Sequence, residues 1–178
     1  MTYECLESTL LARNPYWEYR KDLYRLPDGT AAPYYYVHSR GSVLVIPEFK
    51  PRQYVLVRQY RYLNRRWSIE FPGGGWDPAA AEPLEEARRE LLQETGFHAE
   101  EWIELGRFNP CNGMTDEECT VFLARGLRAH APQWDRTEEL EILLSDADRI
   151  EDAIRRGEIW DGMSLAAWLL YRFSPHWH

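Results

Sequence analysis

The sequence predicts an α+β domain in which helices cover both faces of a mixed β-sheet. Runs rich in β-branched and aromatic residues, such as 42–49 and 53–62, indicate strands. Segments 83–95, 146–159 and 161–173 have the apolar spacing of helices. With 178 residues, the chain is long enough for one domain with a substantial core.

The strands are predicted from β-favouring runs bounded by turn residues. Two of them flank Pro27-Asp28-Gly29, a strong turn sequence. The later strands are predicted at 42–49, 53–62, 66–71, 98–108, 119–127 and 139–145. Because residues 1–40 precede the compact pattern, we expect them to form a strand-rich extension to a main domain at residues 41–178.

Charge and cysteine content exclude several classes of protein. The formal net charge of −8 disfavours general nucleic-acid binding, although metal ions or local arginines would still admit an anionic substrate. Cys5, Cys111 and Cys119 lack metal-ligand spacing and indicate free thiols in a reducing cytosol. No apolar run approaches the ~20 residues that span a bilayer, so we expect a cytoplasmic protein without a membrane segment.

The most informative motif is GGGWDPAAAEPLEEARRELLQETGF, residues 73–97. Pro83 suits the first turn of a helix and Gly96 the position just past its end, which predicts a helix over 83–95. Its apolar face is formed by Leu84, Ala87, Leu91 and Thr95. Its glutamates recur every four residues along one stripe, at Glu82, Glu86, Glu90 and Glu94.

This glutamate stripe has two interpretations. It could be a solvated face stabilised by surface pairs such as Glu85 with Arg89, each worth ~0.3–0.5 kcal/mol. Alternatively, it gathers carboxylates around a divalent cation, since like charges at this spacing repel each other unless a cation neutralises them. The preceding glycines favour the second interpretation because bare backbone can approach a ligand closely.

The motif resembles the signature of the Nudix hydrolases, G-x5-E-x7-R-E-U-x-E-E-x-G-U, in which U is an apolar residue. Its spacing is kept from Gly75 through Arg89-Glu90-Leu91 to Gly96-Phe97. The resemblance implies an α/β/α sandwich with a mixed sheet. It also implies pyrophosphate hydrolysis with Mg²⁺ or Mn²⁺, bound by Glu90 and Glu94.

Two positions depart from the signature. Ala81 replaces the first glutamate, which in the family buttresses the signature arginine, so Arg89 must use another partner such as Glu85 or Glu86. Gln93 replaces the first glutamate of the pair and offers a hard cation only a neutral oxygen. The resemblance therefore implies a degenerate metal site with Glu90, Glu94 and Gln93 as ligands.

The rest of the chain, from about Asn14, resembles the ADP-ribose pyrophosphatase branch of this family. The run VLVRQYRY resembles a strand whose arginine, here Arg61, contacts substrate phosphate. The run SIEFPGGG resembles one whose glycine carbonyl, here Gly74, helps hold the metal, and its Glu70 joins the substrate-binding candidates. The branch implies ADP-ribose or a similar nucleoside diphosphate-linked molecule as substrate, and a homodimer.

The catalytic base of this branch comes from a loop, and NGMTDEE is the suitable candidate here. Glu117 is the first choice for the base, Glu118 the second and Asp116 the third; Arg89 completes the catalytic set. N-terminal strands in this branch often reach the partner subunit's site. Tyr16, Trp17 and Trp67 are therefore candidates to stack on the nucleobase. The alternative for each is an ordinary place in the core.

Two rival hypotheses remain open. Ala81 and Gln93 are also compatible with a Nudix-fold binding or regulatory module that has lost turnover. A glutamate helix of purely structural function would leave the melting temperature unchanged by metal or nucleotide, whereas a ligand at 100 times its dissociation constant adds ~2.7 kcal/mol of stability.

Overall fold

The computed structural model describes residues 3–76, 82–130 and 140–177. The chain opens with an antiparallel meander of three strands, β1 (Glu4–Arg13), β2 (Trp17–Arg25) and β3 (Ala31–Ser39). The predicted turn joins β2 to β3, and there Asp28 accepts hydrogen bonds from the backbone and hydroxyl of Thr30. These bonds lower the pKa of the Asp28 carboxyl. Strand β1 is an addition to the predicted strands.

The remaining strands keep the predicted order, except that residues 73–75 and 128–129 are added strands and the strand predicted at 98–108 is divided in two. They are β4 (Ser42–Lys50), β5 (Gln53–Arg61), β6 (Arg66–Glu70), β7 (Gly73–Gly75), β8 (Phe97–His98), β9 (Glu101–Phe108), β10 (Cys119–Arg125), β11 (Arg128–Ala129) and β12 (Glu141–Asp146). A mixed seven-stranded sheet has the order β12-β5-β4-β10-β9, with β6 beside β5 and β7 beside β4. The pair β4–β10 is parallel, and β8 and β11 form a separate pair.

The described residues form three helices, α1 (Pro83–Thr95), α2 (Ala147–Arg155) and α3 (Gly162–Arg172). Helix α1 has the predicted bounds, with proline in its first turn and Gly96 ending it at a left-handed φ of 70°. Asp146 and Asp161 cap α2 and α3 by accepting hydrogen bonds from the backbone N–H groups of Arg149 and Ser164. None of the described helices is long and apolar enough to cross a membrane.

Strand β4 shows how the two layers of helices share one sheet. Leu44 and Ile46 belong to the apolar cluster that contains residues of α2 and α3, whereas Val43 and Val45 belong to the cluster that contains residues of α1. This alternation is the two-residue period of a strand that is buried on both faces. The predicted sandwich is therefore confirmed.

The meander at residues 4–39 lies outside this sandwich, and every residue of β1 is exposed. The main sheet begins three residues after β3, at Ser42. Whether residues 1–40 and 41–178 behave as separate units stays a prediction.

Candidate active site

The first residues of β4 organise the site. Because β4 and β10 are parallel, Ser42 lies opposite Cys119, and the loop that precedes β10 reaches the same end of the sheet. Strand β7 pairs antiparallel with β4 there, with Gly74 opposite Val43. An open cavity of about 530 Å³ lies at this end.

Six of the predicted site residues line this cavity: Tyr16, Trp17, Arg61, Glu70, Gly74 and Glu117. The other predicted site residues are not among the lining residues: Trp67, Arg89, Glu90, Gln93, Glu94 and Glu118. The ring of Trp67 lies beneath the guanidinium of Arg58, 4.5 Å from the ring centroid, and 43% of the residue is exposed. The site therefore unites residues from the meander, the main sheet and the loop before β10.

Two glycines allow the backbone to approach its neighbours closely. A Cβ atom on Gly73 would lie 2.2 Å from the carbonyl oxygen of Val43, a distance that real contacts do not reach. A Cβ atom on Gly74 would lie 2.5 Å from Oε1 of Glu90. The glycine run is thus a short strand that lies against the Glu90 carboxylate of α1.

The glutamates of the stripe become more buried toward the C-terminal end of α1. Glu82 is exposed, but Glu90 and Glu94 are only 7% and 6% exposed. The backbone N–H of Gly73 donates to Oε2 of Glu94 at 3.1 Å. Carboxylates are rarely buried unless they are hydrogen-bonded, paired or metal-bound. The solvated-face interpretation is therefore wrong for Glu90 and Glu94.

The signature arginine joins three side chains of α1. Arg89 donates to Glu86 with Nη2 at 2.5 Å, and it also donates to Glu90 and Gln93. The predicted surface pair of Glu85 with Arg89 is wrong, since Glu85 instead accepts from Arg88 at 2.6 Å. Glu86 is thus the partner that replaces the missing signature glutamate. Position 81 lies outside the described residues.

The donor set fits a divalent cation. Glu90 and Glu94 supply buried carboxylates one helical turn apart, and Gln93 and the Gly74 backbone carry neutral oxygens. Mg²⁺ and Mn²⁺ favour oxygen ligands, and Mg²⁺ is commonly held by one or two carboxylates together with substrate phosphates. Among the described residues, no group of three or more His, Cys, Asp or Glu side chains is arranged to hold a metal ion.

Arg61 is held in a fixed orientation at the cavity wall. Its Nε donates to Oε1 of Glu70 at 2.8 Å, and Nη2 donates to the other carboxylate oxygen. Gln59 also donates to Glu70, which is 3% exposed. The hydrogen bond to Glu70 is the main cause that raises the pKa of Arg61. This fork uses two of five guanidinium N–H donors, so donors remain for a phosphate.

The three carboxylates of the loop before β10 have different surroundings. Glu117 lines the cavity, and its Oε1 accepts a hydrogen bond from the Ser42 hydroxyl at 2.7 Å. Glu118 pairs with Arg107 at 3.0 Å. Asp116 contacts His38 of β3. Only Glu117 of the three is among the cavity-lining residues.

Several cavity residues escaped prediction. The most informative are Asp161, which caps α3, and Ser42, which binds Glu117. Asp161 could have been found from the sequence, since WDGMS is typical of the start of a helix. Ser42 could not have been found from the sequence, because its proximity to Glu117 follows from the parallel pairing of β4 and β10. Arg40 and Trp76 also line the cavity.

The aromatic wall of the cavity comes from the β1–β2 turn of the same chain. Oδ1 of Asn14 accepts hydrogen bonds from the backbone N–H groups of Tyr16 and Trp17 at 2.8 and 2.9 Å. This side-chain turn fixes both aromatic residues beside the site. Tyr16 and Trp17, two of the candidates expected to reach a partner subunit, therefore already line the cavity of their own chain.

Comparison with protein families matches residues 38–161 to the NUDIX domain. The chain belongs to the Nudix family. It is 30% identical over 166 residues to the ADP-ribose pyrophosphatase of Mycobacterium tuberculosis, covering 92% of this chain and 80% of that relative. It is 29% identical over 155 residues to the ADP-ribose pyrophosphatase of Bacillus subtilis, covering 82% of each.

A solved structure of an ADP compounds hydrolase has the same fold. It superposes with a TM-score of 0.82 at 19% identity, and the match covers 97% of this chain and 93% of that one. The predicted Nudix fold class is thereby confirmed, as is assignment of this protein to the Nudix hydrolases.

Proposed function

We propose that this Nudix protein hydrolyses the pyrophosphate bond of ADP-ribose and gives AMP and ribose 5-phosphate. The observation that carries the proposal is that Gly74, Arg61 and Glu117 line one cavity, with the buried Glu90 carboxylate beside Gly74. Two relatives named ADP-ribose pyrophosphatases support this choice of substrate.

Glu90 and Glu94 would hold Mg²⁺ or Mn²⁺, with the backbone of Gly74 beside them and Gln93 as a weaker oxygen donor. Such a cation neutralises negative charge on the phosphoryl oxygens. Arg89 donates to Glu90 and so orients that carboxylate. Arg61 contributes a second positive charge to the phosphates from the cavity wall.

Glu117 acts as the general base. Its carboxylate accepts a proton from water while the water oxygen bonds to one phosphorus. The bridging P–O bond breaks, and the bridging oxygen leaves with the other phosphate. The Ser42 hydroxyl holds Oε1 of Glu117, which leaves the second carboxylate oxygen for this proton.

The aromatic residues that line the cavity bind the nucleobase by stacking. Tyr16 and Trp17 are 81% and 44% exposed, and their rings offer stacking surface next to the phosphate-binding residues. Trp67 stays a candidate for this function only in an assembly that brings it to a second cavity.

We place this enzyme in the cytoplasm as a homodimer without general nucleic-acid binding. Its cysteines Cys5, Cys111 and Cys119 are free thiols, which suits a reducing compartment. Its exposed β1–β3 meander carries several large apolar side chains, which are typical of an interaction surface.

The alternative is a Nudix-fold binding module without turnover. It is motivated by Gln93, whose oxygen accepts a hydrogen bond from Arg89 where the family signature has a glutamate. A neutral amide weakens the attraction for a hard cation. In that case nucleotide would bind without cleavage, and Gln93→Glu would not create activity.

The test is phosphate-ester release from ADP-ribose, ADP-sugars, NADH and diadenosine polyphosphates, with and without Mg²⁺ or Mn²⁺. We expect metal-dependent cleavage, fastest for ADP-ribose. Preference for another member of the panel would change the substrate and keep the reaction. Absence of cleavage, with ADP-ribose still raising the melting temperature, would favour the binding module.

A further inference from the structure

The loop that carries Glu117 is attached to the N-terminal meander as well as to the main sheet. The backbone N–H of Val37 in β3 donates to the carbonyl of Met114 at 2.9 Å, and Val37 forms a parallel bridge with Thr115. The hydroxyl of Tyr34 donates to the carbonyl of Gly113 at 3.0 Å. The position of this loop therefore depends on β3.

A side-chain contact between His38 and Asp116 also joins β3 to this loop, next to the proposed base. Nδ1 of His38 lies 2.6 Å from Oδ2 of Asp116, and the backbone N–H of Ser39 donates to Oδ1 at 2.9 Å. An ionised carboxylate only accepts hydrogen bonds, so Nδ1 carries the hydrogen in this pair. Both oxygens of Asp116 are thus held by consecutive residues of β3.

The geometry of Glu117 follows from these contacts. Glu117 is the next residue after Asp116, so fixing the Asp116 side chain limits how far the Glu117 backbone can move. On the other side, the amide of Asn109 donates to the Glu117 carbonyl at 2.9 Å, and Ser42 binds the carboxylate. Small displacements of a reacting group cost large factors in rate.

We propose that His38 is a positioning residue: through Asp116 it fixes the loop that presents Glu117 to the cavity. This inference rests on the proposed function, because it assigns the rate effect to the loop of the proposed base. It gives the meander a catalytic contribution in addition to any interface it forms. His38 touches Asp116 rather than the reacting atoms.

A merely stabilising contact would behave differently. The side chains of His38 and Asp116 are 38% and 43% exposed, and exposed pairs contribute little to stability. Loss of the pair should therefore leave the melting temperature nearly unchanged while it lowers turnover. The backbone bonds of Val37 would still hold the loop near β3, so the fold should persist.

The experiment compares His38→Ala and His38→Asn with the wild type on ADP-ribose and Mg²⁺. We expect His38→Ala to lower kcat at least ~10-fold, with KM within about threefold and an unchanged melting temperature. His38→Asn should recover most of this loss because its amide places a donor near the position of Nδ1. His98→Ala is the matched control and should keep wild-type kcat, because His98 lies on β8 and its ring packs against His130.

Hydrogen exchange of residues 113–118 gives a readout that does not need turnover. We expect faster exchange in His38→Ala than in the wild type or His38→Asn. An active wild type with unchanged kcat in His38→Ala would overturn the positioning proposal alone. An inactive wild type would overturn the proposed function and the catalytic part of this inference, whereas unchanged exchange would overturn the loop attachment itself.

Discussion

Three consecutive carboxylates show how position, more than residue type, determines chemistry. Asp116, Glu117 and Glu118 lie side by side in sequence, yet they meet His38, Ser42 and Arg107, respectively. Glu118 is committed to an arginine on β9 and Asp116 to a histidine on β3. Glu117 alone combines a place in the cavity with a hydroxyl partner.

Replacement of Glu117 should therefore be far more damaging than replacement of its neighbour. We expect Glu117→Gln to lower kcat by about 10²-fold, since general-base catalysis contributes factors of this size, and Glu118→Gln to stay within about threefold of the wild type. Steady-state rates on ADP-ribose check this. Normal turnover in Glu117→Gln, with loss in Glu118→Gln, would move the base to Glu118.

The three thiols differ in exposure, which predicts a difference in reactivity. Cys5 and Cys111 are exposed, whereas Cys119 is buried, and burial raises the pKa of its thiol to about 12. The thiolate is the nucleophile, so Cys119 should stay unreactive until the pH approaches that value. At pH 8 we expect a thiol reagent to modify two cysteines in the native protein and three after denaturation. Three equivalents in the native state would contradict the burial of β10.

At the scale of elements, β7 and α1 form one unit that depends on two neighbouring glycines. A Cβ atom on Gly73 would clash with backbone, which cannot move easily, whereas one on Gly74 would meet the end of the Glu90 side chain, which can rotate. The two positions should therefore separate stability from activity.

We expect Gly73→Ala to destabilise the fold by roughly 1–3 kcal/mol, as overpacking does. Gly74→Ala should lose much less stability but displace the Glu90 carboxylate and lower kcat by about 10²-fold. Denaturant unfolding and steady-state rates measure the two effects. Equal losses of stability and of rate in both variants would argue against this division.

Local sequence signals predicted the elements well where chemistry fixes their ends. Pro83 and Gly96 set both ends of α1, and the turn at 27–29 separates β2 from β3. Strand β1 was not predicted; all its residues are exposed. Strand β7 was not predicted either, because its glycines pair with Val43 and its neighbours in β4, which are distant in sequence.

At the scale of the whole molecule, the meander is the main region that leaves large apolar side chains exposed to solvent. Its exposed large apolar residues are Tyr3, Leu6, Leu10, Leu11, Tyr16, Trp17, Tyr19, Tyr34 and Tyr35. Exposed apolar side chains in this number are typical of an interaction site, and β1 is the edge strand of its sheet. A homodimer would cover it.

We expect the wild type to sediment as a dimer and Leu6→Glu/Leu10→Glu to sediment as a monomer, because buried charge at an interface is costly. Leu169→Glu is the control, since Leu169 is 59% exposed on α3, away from the meander. Analytical ultracentrifugation distinguishes the states. A monomeric wild type, or a double variant that remains dimeric, would exclude this surface as the interface.

The site was predictable where residues follow one another in sequence and not where the fold brings them together. The carboxylates of α1 and the glycines before it could be inferred because one short motif contains them. The contact of Ser42 with Glu117 and that of His38 with Asp116 join residues more than 70 positions apart. Such contacts depend on the parallel pairing of β4 with β10 and on the attachment of β3 to the loop.

The central claim is that Glu90 and Glu94 hold a divalent cation at the pyrophosphate. The most direct test is the Mg²⁺ dependence of ADP-ribose hydrolysis in the wild type, Glu90→Gln and the control Glu85→Gln, whose residue pairs with Arg88 at the surface. We expect Mg²⁺-dependent turnover in the wild type and Glu85→Gln, and at least a ~10²-fold lower rate in folded Glu90→Gln. Near-normal turnover in Glu90→Gln would contradict the claim.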